Sequence, residues 1–369
     1  MVAELRNTPL REAHVALGGR LIDFAGWAMP VQYPDGILAE TVHVRKEAGL
    51  FDLSHMGELW VTGPDAEAFL QSLLTNDLSQ LRPGAAQYTL LCNPRGGIVD
   101  DLVVYRLEDG FLLVVNAANR EKDLAWLEEH RTAGVHIEDR SLATGLIALQ
   151  GPRAAEILAP LCNPSPEHLA FYHFQRGRVA GHEALISRTG YTGEDGFELY
   201  LAWDHTPAVW DALLAREGVK PAGLGARDLL RLEMTYPLYG NDIDEETSPL
   251  EAGLGWVVKP QKGDFVGREA ILRQKAEGPR RRRVAFVQES GPVPRHGYPL
   301  LDAEGRQVGV VTSGGFSPHV NAPIGMGYVE AALAQPGHEL AVLARGKTFA
   351  ARLQRRAFVS ARTKRPEAT

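Results

Sequence analysis

The chain has 369 residues, 44% of them apolar and 23% charged, which is ample for folded globules but long for a single core, so two or three domains are expected. It contains no run of about 18 uncharged apolar residues that could cross a membrane, and Glu4 and Arg6 stand where a signal peptide would have its apolar centre, so a cytoplasmic location is expected. Cys92 and Cys162 lack Cys-x-x-Cys spacing, indicate neither a disulfide framework nor a thiolate metal site, and are expected in the core.

Along the chain, residues 37–48 and 65–74 are predicted as helices, the second opened by Gly63-Pro64-Asp65 with proline near its first turn. Residues 51–61 between them are predicted as extended. Three strands follow at 87–92, 98–106 and 111–115, joined by Asn93 to Gly97 and by Glu108-Asp109-Gly110, which are hairpin connections. A helix at 121–130, a short strand at 146–150 and a helix from 152 to 158 come next. This succession predicts an α+β protein with antiparallel sheet. From about Arg283 short strands broken by Gly and Pro predict a separate small β-barrel, with the boundary at 276–283.

The formal net charge is −7, but residues 280–369 hold 14 Lys+Arg against 6 Asp+Glu. A basic module on an acidic body could attract an acidic protein or a polyanionic ligand tail. The plainer alternative makes Arg280 to Arg283 a solvated linker and Arg355, Arg356, Lys364 and Arg365 a frayed tail. Without aromatic interleaving or a binding motif, nucleic acid is disfavoured.

No Gly-x-Gly-x-x-Gly follows a strand, and there is no phosphate loop of Walker type and no His-Glu-x-x-His, so the usual signatures of NAD, ATP and zinc are missing. Serine hydrolysis is poorly supported too. No Gly-x-Ser-x-Gly elbow occurs, and alternation in an extended segment would point Ser54 and His55 to opposite faces. His55 is expected to be structural or to bind a ligand.

Three stretches carry chemistry. Gly190-Tyr191-Thr192-Gly193-Glu194-Asp195-Gly196 is a glycine-punctuated turn that delivers Glu198 onto a strand. Asn93 to Leu102 carries Asp100 and Asp101 on a hairpin, and Gly225-Ala226-Arg227-Asp228 carries an arginine. Two acidic positions and an arginine anchored beside apolar sequence suit a small polar heterocycle. Neighbours on a strand face opposite ways, so only one of the two aspartates can enter a pocket. Asp101 shares its face with Val103 and Tyr105, where a carboxylate is poised for a raised pKa and for proton transfer. Asp100 is expected to be a turn-flanking carboxylate bonded to backbone amides.

These stretches, with Asp23-Phe24-Ala25-Gly26-Trp27, Asp52 to Gly57, Thr75-Asn76-Asp77, Arg188 to Glu198 and Tyr239-Gly240-Asn241-Asp242, resemble the glycine cleavage T-protein family over residues 8–328. The resemblance implies three domains in a cloverleaf around a central folate channel: 1–50 with 140–250, 51–139 with 251–278, and a barrel at 279–369. It implies transfer of the methylene of an aminomethyl group from the dihydrolipoyl arm of lipoylated H-protein to tetrahydrofolate, releasing ammonia, with no metal or nucleotide. Asp101 would be the catalytic carboxylate near folate N5 and N10, Glu198 and Arg227 would bind the folate, and Met56, Tyr88, Tyr105, Asn116 and Tyr191 would line its rings, with Trp256 a weaker candidate. Family members that end in an aromatic strand reaching the folate differ from Arg355 to Ser360 here, so Phe358 or a neighbouring arginine would substitute. Folate-linked demethylases share the fold. So do non-catalytic folate-binding relatives of iron-sulfur maintenance, which carry a cysteine where this chain has Arg188 to Gly193.

Overall fold

The computed structural model describes residues 4–355 and 357–364. Arg356 and Arg365, both assigned above to a basic tail, lie outside the described residues. Two large sheets, a two-stranded hairpin and a closed barrel make up the strands of the described residues.

A seven-stranded sheet is ordered Cys162–Asn163, Phe174–Val179, His182–Ser187, Gly196–Ala202, Thr144–Gln150, Ala48–Asp52 and Val219–Pro221, with only the last pair parallel. Its outer face packs on helices Ala154–Leu158 and Thr206–Leu214 around Trp210 and Phe197. A five-stranded antiparallel sheet is ordered Ala86–Cys92, Ile98–Arg106, Gly110–Val115, Gly57–Thr62 and His136–Asp139. Helix Ala66–Leu73 covers its far face through Phe69, Leu70 and Leu73. The inner faces of the two sheets share a layer that includes Phe51, Leu53, Tyr105, Val114, Leu146 and Tyr200. Strand alternation accounts for the split, since Leu102 and Val104 point to the helix-covered core and Val103 and Tyr105 to the shared layer.

Residues 51–61 are not one extended run. Ala48–Asp52 belongs to the first sheet and Gly57–Thr62 to the second, and the Met56 amide closes a turn onto the Leu53 carbonyl at 2.9 Å. Ser54 and His55 therefore sit in a turn. The Ser54 hydroxyl and the Leu146 backbone bond each other, while His55 faces the space between the sheets. The helix predicted to Ala48 stops at Lys46, because Ala48 is already paired in the sheet. Cys92 is fully buried, whereas Cys162 is half-buried on an edge strand.

Helix Arg268–Glu277 ends at Gly278, whose φ of 84° lies in the region glycine tolerates, and the chain enters a closed six-stranded barrel at Arg281. The linker reading of Arg280 to Arg283 is corrected here. Arg281 bonds Glu251 and Thr247, and Arg283 donates to the carbonyls of Ala252 and Thr235, so both clamp barrel to body. Only Arg280 and Arg282 of the four are exposed. No helix among the described residues is long and apolar enough to cross a membrane.

Candidate active site

A cavity of about 420 Å³ opens where the two sheets, the helix Leu224–Glu233 and the hairpin Arg20–Phe24 with Trp27–Gln32 converge. Its size suits a drug-sized heterocycle, and its lining is mostly apolar with a few convergent polar groups. Of the residues singled out from sequence, Asp101, Glu198, Arg227, Met56, Tyr88, Asn116 and Tyr191 all line it.

On one wall, strand Ile98–Arg106 presents Asp101. Tyr88 donates its hydroxyl to Asp101 Oδ2 at 2.9 Å, and Asn116 Nδ2 reaches Oδ1 at 3.0 Å. Burial, and then the neighbouring Asp100 charge, raise the Asp101 carboxyl to about 7. Trp256 is 61% exposed and stacks on Tyr88 at 5.9 Å without itself lining the cavity.

Asp100 is not a turn-flanking carboxylate. It is fully buried on the opposite face and accepts from Asn116 Nδ2 at 2.8 Å, Asn119 Nδ2 at 2.6 Å and the Asn116 amide at 3.2 Å. Its fourth neighbour is the carboxyl of Asp123, in the first turn of helix Arg120–Glu129. Sequence reading missed Asn119 and Asp123 because that helix looks solvated. Asn119, which precedes the helix, and Asp123 are four residues apart, but that spacing does not say which face of the helix is covered.

On the opposite wall, the glycine turn holds Glu198. A Cβ at Gly190 would approach the Gln150 amide to 2.0 Å, and one at Gly193, where φ is 74°, would meet the Met234 sulfur at 2.4 Å. Glycine is thus required at both. The turn is pinned by arginines: Arg188 grips Asp195 through two nitrogens, while Arg45 and Arg362 both reach Glu194 Oε1 at 2.7 Å. Thr189 Oγ1 donates to Glu198 Oε2 at 2.5 Å, and burial raises the Glu198 carboxyl against that bond and the Arg227 charge.

Tyr105 does not reach the cavity. It is fully buried behind Glu198, taking the Tyr200 hydroxyl at 2.9 Å and meeting Thr189 at 3.2 Å. Tyr200 and Tyr172 line the space instead. Phe358 packs with Leu232, Ile324 and Met326 and lies away from the cavity, whereas Arg362 reaches the turn at Glu194.

Helix Leu224–Glu233 supplies Arg227, whose guanidinium lies 5.0 Å over the Tyr191 ring and makes no hydrogen bond among the described residues. Arg231, one turn on, is spent differently. It bonds Asp242 at 2.6 Å and Ser313 of the barrel at 2.9 Å. His55 lines the cavity with Nδ1 unpartnered, and burial lowers it to about 4, so it is neutral near pH 7. Ile22 and Phe24, each 37% exposed on the hairpin strand, form an apolar lip.

The model of the GCVT N-terminal domain matches residues 10–262, and that of the glycine cleavage T-protein C-terminal barrel domain matches residues 281–360. The chain is 48% identical over 359 residues to an aminomethyltransferase of Desulforamulus reducens, covering 96% of this chain and 98% of the relative. It is also 48% identical over 359 residues to an aminomethyltransferase of Halothermothrix orenii, covering 96% and 100%. The crystal structure of glycine cleavage system aminomethyltransferase T from Bartonella henselae superposes with a TM-score of 0.93 at 40% identity, over 98% of this chain and all of that one. The chain belongs to the glycine cleavage T-protein family. Its activity is that of an aminomethyltransferase of the glycine cleavage system.

Proposed function

We propose that the cavity binds tetrahydrofolate as co-substrate, with the paired N–H donors of the pterin on Glu198 and its reacting N5 and N10 edge at Asp101. The single observation that carries this reading is the open carboxylate of Asp101, held by Tyr88 and Asn116 on the cavity wall with no cation bonded to it among the described residues. Arg227, whose guanidinium makes no hydrogen bond among the described residues, supplies a cation for the polar end of the ligand, and Met56 and Tyr191 supply flat apolar contact.

The second substrate is the aminomethyl group carried as a thioether on the dihydrolipoyl arm of lipoylated H-protein, and the setting is the cytoplasm. Forming the two new carbon–nitrogen bonds of 5,10-methylenetetrahydrofolate breaks the methylene's bonds to nitrogen and to sulfur. Two N–H protons leave the folate. One ends on the departing ammonia and one on the arm's sulfur. A carboxyl near 7 can take up such a proton at N5 or N10 and release it again close to neutral pH. No redox step is involved, so no nicotinamide or flavin is required.

The test is turnover with aminomethylated H-protein and tetrahydrofolate, following ammonia and methylenetetrahydrofolate together. Asp101→Asn should fold, bind folate and lose at least about a hundredfold in kcat. The base form accepts the proton, so kcat should rise with pH through about 7 and that limb should vanish in the variant. Near-normal turnover in a folded Asp101→Asn protein would remove the carboxylate from the chemistry. Folate binding without methylene transfer by the unaltered protein would point to a non-catalytic folate-binding role.

A further inference from the structure

Behind Asp101 lies a second layer of carboxylates that the proposed chemistry does not use. Asp123 is fully buried, and neither of its carboxyl oxygens receives a hydrogen bond from an N–H or hydroxyl donor. The carboxyl beside it is that of Asp100, set there by Asn119, whose carbonyl takes the Asp123 amide at 2.7 Å and whose Nδ2 donates to Asp100 Oδ1 at 2.6 Å. A carboxylate has about four acceptor sites, and Asp100 fills three of them with amide N–H groups from Asn116 and Asn119. Two buried anions in contact, one without a donor, would carry an uncompensated desolvation cost. One shared proton removes it. That proton belongs on Asp123, because Asp100 already faces three donors and Asp123 faces none.

We propose that Asp123 is a protonated positioning residue, whose carboxyl donates the fourth hydrogen bond to an ionised Asp100 and thereby holds Asn116 and the catalytic carboxylate Asp101 in place. The coupling runs through one atom. Asn116 Nδ2 lies 2.8 Å from Asp100 Oδ1, 3.0 Å from Asp101 Oδ1 and 3.0 Å from the Asp101 carbonyl. Local structure enforces the arrangement: Asn119 precedes helix Arg120–Glu129, and the Asp123 amide bonds the Asn119 carbonyl at 2.7 Å, setting Asp123 against Asp100. Burial and the Asp100 charge push the Asp123 carboxyl far up, in the same direction as the geometry. The other groups facing the cluster are Tyr88, Tyr172 and Tyr191 from the cavity, and Lys122 and Tyr239 from the helix and loop side. Lys122 spends its amine on the Val99 carbonyl at 2.6 Å and the Tyr239 hydroxyl at 2.8 Å.

This inference rests on the reading of Asp101 given above, and the two fail differently. Asn at position 123 keeps an N–H donor and adds no charge, whereas Leu removes the donor. Asp123→Asn should therefore keep kcat within about threefold and leave the pH midpoint unmoved, while Asp123→Leu should lose about tenfold in kcat with the KM for tetrahydrofolate little changed. Asp100→Asn removes the charge behind Asp101, so the acid limb should move down by on the order of one pH unit. Infrared difference spectra near neutral pH give a readout independent of turnover. The unaltered protein minus Asp123→Asn should contain a protonated-carboxyl band that persists in Asp101→Asn, apart from any band of the buried, unpartnered Glu58. A difference spectrum without that band, or an Asp123→Asn protein as slow as Asp123→Leu, would overturn the proposal. If Asp123→Leu does not fold, the spectrum and Asp123→Asn decide alone. Full activity in Asp101→Asn would instead sink the reading of Asp101, while a lost band would still place the proton on Asp123.

Discussion

Two acid-rich regions face each other across the cavity, and they differ in whether arginine is present. On the side of the glycine turn, four carboxylates are paired with cations: Asp195 has Arg188, Glu194 has Arg45 and Arg362, Glu233 has Arg45, and Asp242 has Arg231. On the hairpin side, Asp100, Asp101 and Asp123 bond amides, a tyrosine and each other, with no arginine among them. The first set ties separate elements together. Arg45 joins a helix to the turn and to helix Leu224–Glu233, and Glu233 goes on to Ser317 and His319 of the barrel at 2.6 and 2.8 Å. The second set has its charge states left open by burial, which is what proton transfer near neutral pH requires. Burial with a cation builds the scaffold, and burial without one leaves a carboxyl able to titrate.

The sharpest way to break this contrast is at Arg45. Arg45→Met would leave Glu194 with the half-exposed Arg362 and Glu233 with hydrogen bonds to Ser317 and His319 but without its arginine, and breaking a buried pair typically costs about 3–5 kcal/mol. Urea unfolding should show a loss of that order. A loss under about 1 kcal/mol would mean that the turn is held by its glycines and backbone alone.

Next in size is Glu198, which sits between the two sets: buried near Arg227 but bonded to Thr189. Glu198→Ala should weaken tetrahydrofolate binding by about 1–3 kcal/mol, because the pterin donors would be left unpaired in a closed pocket. Calorimetric titration measures it directly. Unchanged affinity in a folded variant would move Glu198 from the ligand site to the turn.

The smallest effect concerns the exposed arginines. Arg281 and Arg283 are committed to the body of the protein, so any steering of an acidic H-protein by this stretch falls to Arg280 and Arg282. Raising salt should increase the KM for H-protein and spare that for tetrahydrofolate, since exposed charges are screened over about 8 Å at physiological ionic strength. Arg280→Ser with Arg282→Ser should reproduce part of that increase. Equal salt sensitivity for both substrates would place the docking surface elsewhere.

Much of this was legible in the chain itself. Period-two alternation allowed only one of Asp100 and Asp101 into a pocket, since a strand sends neighbours to opposite faces whatever surrounds it, and the family resemblance favoured Asp101. Glycines at 190, 193 and 196 marked a turn because the backbone there passes too close to Gln150 and Met234 for a side chain. Proline and glycine punctuation announced the barrel. What neighbours do to a side chain was decided only by the tertiary structure. Tyr105 and Asp101 share a strand face, yet one is sealed behind Glu198 and the other opens to the cavity, because the seven-stranded sheet covers only the far end of that strand. Residues 51–61 look continuous because both halves are β-prone, and the break appears only because each half pairs with a different sheet. Arg281 and Arg283 look like a solvated run until the body brings Glu251 and Thr247 within reach of the first and the carbonyls of Ala252 and Thr235 within reach of the second. Asp123, on a helix rich in charge, becomes a buried acid only when that helix lies down beside Asp100, for no local pattern records which face of a polar helix another element will cover.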